Sequence, residues 1–287
     1  MRALIDGDII IYKCGFAAEQ RYYEIYEKDN EEFGWIAKYK YKKDVDKYLE
    51  MYGEEKFHVE KTAEAEPISH AIHNIDKLIQ SILHDTRSSE YQLYLSGEGN
   101  YRETVATLLP YKGNRDPTHK PLHYEELKRY LISLGAIVVD GMEADDGMGI
   151  EQYTREYARL HPGDTTICTI DKDLDMIPGL HYNWDKIRMY FINEEDGYRN
   201  FFRQVLQGDT VDNIPGLYKI TEQKATKAIM EPLVYMTKPK EMKAYVEEVY
   251  LRHRGLIGTE QMLKLLEEIM KLLWISRTRP NDLEEFI

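Results

Sequence analysis

Short apolar runs at residues 3–6, 91–95, 136–139 and 165–170 are separated by helix-patterned stretches, and each run stops at or beside carboxylates. Strand and helix alternating at this rhythm predict an α/β fold on a mostly parallel sheet. In such sheets the carboxyl ends of the strands gather the active site. The acids fall in islands: Asp6 and Asp8, then Glu98, then Glu143 with Asp145 and Asp146, then Asp171 with Asp173 and Asp175, and last Asp209 with Asp212. Carboxylates crowded at one edge repel one another unless cations sit among them. The pattern implies a hard-metal site, and with it phosphate chemistry.

At 287 residues the chain suffices for one large domain or two smaller ones. Charged residues make up 31% and hydrophobic ones 43%, the balance of a soluble globular protein rather than a disordered or membrane-bound one. No apolar run nears the roughly 20 residues of a spanning helix. The opening MRALIDGDIII carries aspartates inside its apolar stretch and does not read as a signal peptide. Cys14 and Cys168 lie in apolar contexts, as expected of buried thiols in a cytosolic protein. The net charge of −13 and pI near 5.3 argue against a polyanionic partner, an objection that bound cations would reverse locally. The 23 tyrosines are expected in packing and on hairpin surface, with base stacking as the alternative.

Residues 21–41 alternate aromatic and charged side chains around a Lys-Asp-Asn-Glu-Glu turn, which predicts a two-stranded hairpin inserted at the surface. Charges fill 42–66, leaving a short helix near 44–51 and little core. Pro67 suits a first helical turn. Ile68, Ile72, Ile75, Ile79 and Leu83 share a face, so helix is expected over 67–84. Punctuated by Gly99, Pro110, Gly113, Pro117 and Pro121, residues 99–121 read as irregular. Helix is expected at 122–134, stopped by Gly135, and at 143–160, ended by Pro162-Gly163. From about 201 the pattern is mostly helical, interrupted at Asp212-Asn213-Ile214-Pro215-Gly216.

Taken singly, some islands have plainer readings. Asp6-Gly7-Asp8 suits a turn with capping carboxylates; were the strand to continue, both aspartates would share a face. Glu143, Asp145 and Asp146 suit a helix's first turn through the dipole alone. Asp171-Lys172-Asp173 resists that reading, because it follows a buried strand directly and only a metal or a base offsets the repulsion of its carboxylates. Together the islands fit a pair of hard cations, Mg2+ or Mn2+, of the kind that activates water and stabilises the leaving oxygen of a phosphodiester. Zinc-type His/Cys spacing, Walker A and GxGxxG are absent, and His70, His73 and His84 are expected at the surface. Residues 111–116 are the basic counterpart. There Lys112 and Arg115, with His119, Lys120, His123, Lys128 and Arg129 nearby, either hold a phosphate and stabilise transition-state charge or are simply solvated.

In this order the segments LIDGD (4–8), LSGEGNYR (95–102), YKGNRD (111–116), GMEADD (141–146), TIDKDLD (169–175) and LQGDTVDNIPG (206–216) resemble the metal-dependent 5′ nucleases. That family comprises flap endonucleases, the 5′ nuclease domain of bacterial DNA polymerase I and the 5′–3′ exonucleases of tailed phages, and the likeness is greatest to the phage enzymes. It covers residue 1 to about 230. The resemblance implies a PIN-like twisted, mostly parallel sheet flanked by helices, with a flexible arch at 99–135. It places the catalytic core at 1–200, with the 21–41 hairpin as an insertion. A helical C-terminal region at 201–287 would contain a helix-hairpin-helix-like element. The implied activity is Mg2+-dependent hydrolysis of DNA, exonucleolytic from 5′ ends or endonucleolytic at flaps. It would use a two-metal mechanism and leave 5′-phosphate and 3′-hydroxyl, in phage replication or recombination.

On this pattern the metal ligands are Asp6, Glu98 (where the family usually has Asp), Glu143, Asp145, Asp146, Asp171, Asp173, Asp209 and Asp212, with Asp8 and Asp175 as neighbours without an assigned role. Lys112, Arg115, Asp171 and Asp173 form the catalytic set. Lys112 and Arg115 match basic residues of the arch that contact the scissile phosphate, beside Tyr111 for base stacking. After Gly216 the family usually shows another glycine, and this chain has Leu217-Tyr218-Lys219-Ile220-Thr221. A turn at positive φ loses its easiest residue, which weakens the case for a potassium ion (K+) there, while Thr221 and Lys224 stay within reach of a phosphate. The implied partners are DNA 5′ ends, nicks and flaps, with RNA–DNA hybrids as a variant substrate. The resemblance further implies a cytoplasmic monomer, in the host cytoplasm if phage-encoded, with no membrane partner.

Other readings compete. A haloacid-dehalogenase-type phosphatase would use Asp6-Gly7-Asp8 as its nucleophile motif, but it leaves Asp171-Lys172-Asp173 and 111–116 unexplained. A PIN-type or primer-removing ribonuclease shares the metal site, although nothing in the sequence reads a 2′-OH. A non-catalytic binder of branched DNA would be expected to lack the carboxylates. Arg252, Arg254, Arg277 and Arg279 are candidates for DNA contact or for solvated charge.

Overall fold

The computed structural model describes residues 1–28, 34–116, 119–157 and 163–287. The chain opens with β1 (Arg2–Asp6) and α1 (Gly7–Ala17), then β2 (Glu19–Glu27), β3 (Trp35–Tyr39), α2 (Lys42–Tyr52), β4 (Phe57–Ala65) and α3 (Ile68–Thr86). It continues through β5 (Glu90–Ser96), α4 (Tyr101–Val105), α5 (Tyr124–Ser133), β6 (Ile137–Val139), α6 (Ala144–Tyr157), β7 (Thr165–Cys168), β8 (Gly179–Asn183) and β9 (Arg188–Ile192). The remainder is helical: α7 (Glu194–Gln207), α8 (Leu217–Thr221), α9 (Lys227–Met230), α10 (Pro232–Tyr235), α11 (Pro239–Leu251) and α12 (Thr259–Leu273). The small pair β10 (Gly208–Asp209) and β11 (Ile214–Pro215) lies between α7 and α8. Two compact units result, one of Met1–Ile9, Leu78–His119 and Leu131–Ile287, the other of Ile10–Lys77 and Lys120–Tyr130.

The larger unit holds a six-stranded sheet in the order β6-β5-β1-β7-β8-β9. All neighbours are parallel except β9, which returns antiparallel on β8. The expected mostly parallel α/β sheet is therefore what the chain forms. Its centre is β1 and β7, where Leu4, Ile5, Ile167 and Cys168 have no exposed surface, as continuous apolar runs covered on both faces require. The same apolar composition in β6 lands at the sheet edge and leaves Ile137 and Val138 exposed. The β8–β9 hairpin escaped the sequence reading because polar His181 and Asn183 interrupt β8, though both are buried.

Helix α7 starts where Asn193 accepts a hydrogen bond from the Asp196 amide, a capping arrangement. It turns Phe201, Phe202, Val205 and Leu206 inward, and these share one core with Leu4 and Ile167 of the sheet and Val246, Ile269 and Trp274 of the C-terminal segment. Arg277 has no exposed surface. It lies 4.4 Å from the Tyr198 ring centre and 4.6 Å from that of Trp274, and donates to the Met176 carbonyl at 2.9 Å. It is a packing residue, and the DNA contact considered for it is ruled out by burial.

The smaller unit contains the expected hairpin, but as part of a three-stranded antiparallel sheet, β3-β2-β4. The β4 strand was hidden by its charges. Helix α2 closes a small core of Ile25, Val45 and Phe57. The expected hairpin turn at 29–33, Pro117, and the stretch 158–162 where the helix expected over 143–160 was to end lie outside the described residues. The expected helices at 67–84 and 122–134 appear as α3 and α5, and His70, His73 and His84 are exposed. Both cysteines are buried and free. Among the described residues no helix is long and apolar enough to cross a membrane.

Candidate metal and phosphate site

Parallel strands bring their carboxyl ends to one edge of the sheet, and the acid islands follow those ends. Asp6 is the last residue of β1, and α1 begins at Gly7. The strand does not run on to Asp8, so the two aspartates are not face partners of a strand. A side chain at Gly7 would meet the Tyr94 carbonyl at 2.6 Å, which explains a glycine where helix and strand β5 touch. Asp6 is 3% exposed and accepts hydrogen bonds from the Ile9 amide at 3.0 Å and the Thr169 hydroxyl at 2.8 Å. Asp8 accepts from the Ser96 amide at 3.0 Å. Thr169, at the end of the β7 run, also receives the Asp171 amide at 3.0 Å, and Asp171 in turn receives the Asp173 amide at 2.9 Å. This hydroxyl joins the first and fourth islands, a role the sequence reading did not give it.

The acids feel one another. Burial, then the neighbouring Asp8, pushes the Asp6 carboxyl up to about 7, with Asp171 adding to the effect. Burial pushes Asp145 well above the usual carboxylate range, and Asp6, Asp171 and Glu143 push it further. Asp173 rises to about 7 through burial and then through Asp171 and Asp209. Asp171 is raised by burial, with Asp212 and Asp209 adding to it. Asp6, Asp8, Glu143, Asp145, Asp171, Asp173, Asp209 and Asp212 thus form one electrostatic community. Glu143, Asp145, Asp171, Asp173, Asp209 and Asp212 line a cavity of about 300 Å³.

Three expected acids stand apart. Asp146 has no exposed surface and is gripped by Arg102 at 2.6 and 3.1 Å, by the Ser276 amide at 2.8 Å and by the Glu143 amide at 3.1 Å. Burial alone would raise its pKa, but Arg102 and these donors hold it below the usual range. Both its oxygens are engaged, so it anchors the start of α6 and does not face the cavity as a ligand. Glu98 is exposed and does not line the cavity. Its backbone carries the order there, its amide donating to Asp140 at 3.1 Å and its carbonyl accepting from Gly141 at 2.8 Å. Asp175 accepts from the Tyr190 hydroxyl at 2.7 Å.

The basic segment lies directly on the cavity. Lys112 is ion-paired with Glu143, Arg115 with Asp212, and the Tyr111 hydroxyl lies 3.0 Å from Glu143 and 2.8 Å from Asp212. Tyr111 thus bridges two carboxylates through its hydroxyl in this structure. Lys112 has a left-handed backbone, φ 54°, a conformation that a lysine keeps only where its surroundings impose it.

Its support is the β10–β11 hairpin. Gly208 has φ 73°, and a side chain there would strike the Gly216 amide at 2.2 Å, so backbones touch where the hairpin closes. Where a glycine turn was expected after Gly216, residues 217–221 form α8 with no positive φ, and the left-handed residue is Glu222, φ 61°, which ends that helix. Thr221 donates its hydroxyl to the Leu217 carbonyl at 2.8 Å and accepts from the Gln223 amide at 3.2 Å. Lys224 is exposed.

Among the described residues no three His, Cys, Asp or Glu side chains converge closely enough to hold a metal ion as they stand. The donor set nevertheless fits a hard divalent cation in chemistry. It is all oxygen, and the carboxyls of Asp6, which is buried, and of Asp145, Asp171 and Asp173, which are half-buried, are pushed toward protonation by desolvation and by neighbouring acids, the strain a cation relieves.

No protein-family model matches the sequence, and no curated protein matches it. Among solved structures the chain is similar to a bacteriophage T5 protein co-crystallised with metal ions, at 14% identity and TM-score 0.43, over 95% of this chain and 99% of that one. It is similar to the T5 5′-exonuclease with bound zinc, at 13% identity and TM-score 0.42, over 96% of this chain and 100% of that one. It is also similar to the T5 flap endonuclease in a pseudo-enzyme–product complex with DNA and metal ions, at 14% identity and TM-score 0.43, over 95% of this chain and 98% of that one.

Proposed function

We propose that the chain is a divalent-metal-dependent 5′ nuclease that hydrolyses DNA phosphodiesters at 5′ ends and flaps. The observation that carries the reading is one cavity lined both by the acids and by Lys112 and Arg115, which pair with two of them. Asp145, Asp171, Asp173, Asp209, Glu143 and Asp212, with Asp6 behind them, would hold Mg2+, for which Mn2+ is the expected substitute. Bound divalent cations supply a water nucleophile at neutral pH and neutralise charge at the leaving oxygen. Lys112 and Arg115 would bind the scissile phosphate and stabilise its added charge. Thr169 and the Asp173 amide would fix the carboxylates of Asp6 and Asp171 in place. Lys224, exposed just beyond α8, would meet a phosphate farther along the strand.

The phosphatase reading requires Asp6 as an exposed nucleophile, and its burial beneath Thr169 disfavours it. The test is digestion of 5′- and 3′-labelled duplex, nicked, flapped and RNA–DNA substrates with Mg2+ and with EDTA. Release from the 5′ end or at the flap, abolished by EDTA, is expected. Metal-independent cleavage, or none on any of these substrates, would overturn the reading.

A further inference from the structure

The cations that would hold a substrate phosphate are already in use. Lys112 is ion-paired with Glu143 Oε1 and lies 3.7 Å from Asp212 Oδ2, while Arg115 is ion-paired with Asp212 Oδ1. Asn100 donates to Glu143 Oε1 at 3.0 Å, and the Tyr111 hydroxyl lies within hydrogen-bond distance of both Glu143 Oε2 and Asp212 Oδ2. Every carboxylate oxygen of Glu143 and Asp212 therefore has a donor against it.

We infer that Lys112 and Arg115 are the resident counter-cations of this pocket, displaced when a divalent cation binds. Docking of the basic loop 110–115 on the acidic hairpin 209–213 and loading of the metal would then exclude each other. The inference rests on the metal reading of the cavity. An ammonium and a dication at the same carboxylate oxygens repel, and the dication, with twice the charge, wins the oxygens at sufficient concentration.

The seam between the two segments is built to let go. Three neutral hydrogen bonds cross it: the Lys112 amide to the Asp212 carbonyl at 2.9 Å, Asn114 to the Thr210 carbonyl at 2.6 Å, and Asn213 to the Pro110 carbonyl at 3.0 Å. On either side stands a non-glycine residue in left-handed conformation, Lys112 at φ 54° and Asn213 at φ 60°. Once the ion pairs are lost, and with them the 3.5 Å contact of Arg115 Nε to the Val211 carbonyl, what opposes release of that backbone is these neutral bonds and the hold on Tyr111, through its hydroxyl and its packing against the core. Metal loading would thus free Lys112 and Arg115 for a phosphate in the same event. By linkage, whatever the loop's cations cost the metal, the metal costs the loop.

The experiment measures binding, without nucleic acid. Free Mn2+ is followed by electron paramagnetic resonance during titration of the wild-type chain, Lys112→Gln and Arg115→Gln at one ionic strength. Each variant is expected to bind Mn2+ about fivefold or more tightly than wild type, the low end of usual coupling. A second readout needs no variant: trypsin cleavage after Lys112 and Arg115 of the wild-type chain, resolved by mass spectrometry, should be faster with Mn2+ than with EDTA. That direction opposes the general protection a bound ion gives a folded chain. Affinity equal to or weaker than wild type in both variants, or cleavage slowed or unchanged by Mn2+, overturns the coupling while leaving the metal site intact. If wild type and variants all fail to bind Mn2+, the metal reading itself falls.

Discussion

Arg102 and Asp146 meet as a buried two-point pair, Nη1 to Oδ2 at 2.6 Å and Nη2 to Oδ1 at 3.1 Å, with neither side chain more than 3% exposed. Arg102 also donates to the carbonyls of Leu272 and Trp274, at 2.9 and 2.6 Å. The pair therefore ties α4, α6 and the end of α12 together just behind the cavity. Removing one partner strands a buried charge, at a cost of about 3–5 kcal/mol. Asp146→Ala is expected to lose stability on that scale in urea unfolding, while its folded fraction still binds Mn2+. A variant of wild-type stability that had lost Mn2+ would return Asp146 to the ligand set.

Asp171 and Asp173 differ from Asp146 in facing the cavity and in having no guanidinium beside them. Asp171→Ala and Asp173→Ala are expected to abolish hydrolysis of a flapped duplex yet leave its binding measurable by anisotropy. Relieving the crowding also favours the folded state, so neither variant should melt below wild type. Cleavage near the wild-type rate by both would sink their assignment as ligands.

The parallel strands β1, β5, β6 and β7 were legible because they are written as largely apolar runs. The islands were legible because a strand's carboxyl end is a fixed place in a parallel sheet. What was illegible was the use of each acid. Asp145 and Asp146 are adjacent in sequence and alike in type, but successive residues of a helix project about 100° apart. One therefore looks into the cavity and the other into the core, and the partner that decides this, Arg102, lies over 40 positions away. Thr169 and Arg102 carried no signal beyond their place in two motifs. Strands β4 and β8 were lost for opposite reasons, surface charge in one and buried polar residues in the other.

Lys112 reaches Glu143 from a loop braced on Asp212, so metal loading would release its charge at the cavity itself, beside any phosphate bound there. Lys112→Ala is expected to slow single-turnover cleavage at saturating enzyme by on the order of a hundredfold, the scale of losing one preorganised charge stabiliser. Its DNA affinity should change much less. An unchanged single-turnover rate with weakened binding would make Lys112 a docking residue only.

Asp6 and Asp173 contribute to the pH dependence of the fold, in the same direction as Asp145 and Asp171. Asp6 and Asp173 each titrate near 7 in the folded chain, against an ordinary value of 3.8, because burial and neighbouring carboxylates penalise the ionised form. With the folded pKa raised, the folded chain holds more protons than the unfolded one between these values, so stability falls as pH rises through that window. The contribution is fully present below 3.8 and lost by the time pH has passed about 7. Calorimetry of the metal-free chain should therefore show Tm falling from pH 5 to pH 8. Asp6→Asn, which cannot ionise, should fall less steeply. Mg2+ binds the ionised carboxylates, so the Tm gain it gives should be small at pH 5 and large at pH 8. A metal-free Tm that is flat or rising across this range, or an equal Mg2+ gain at both ends, would mean that these carboxyls are not the strained set behind the site.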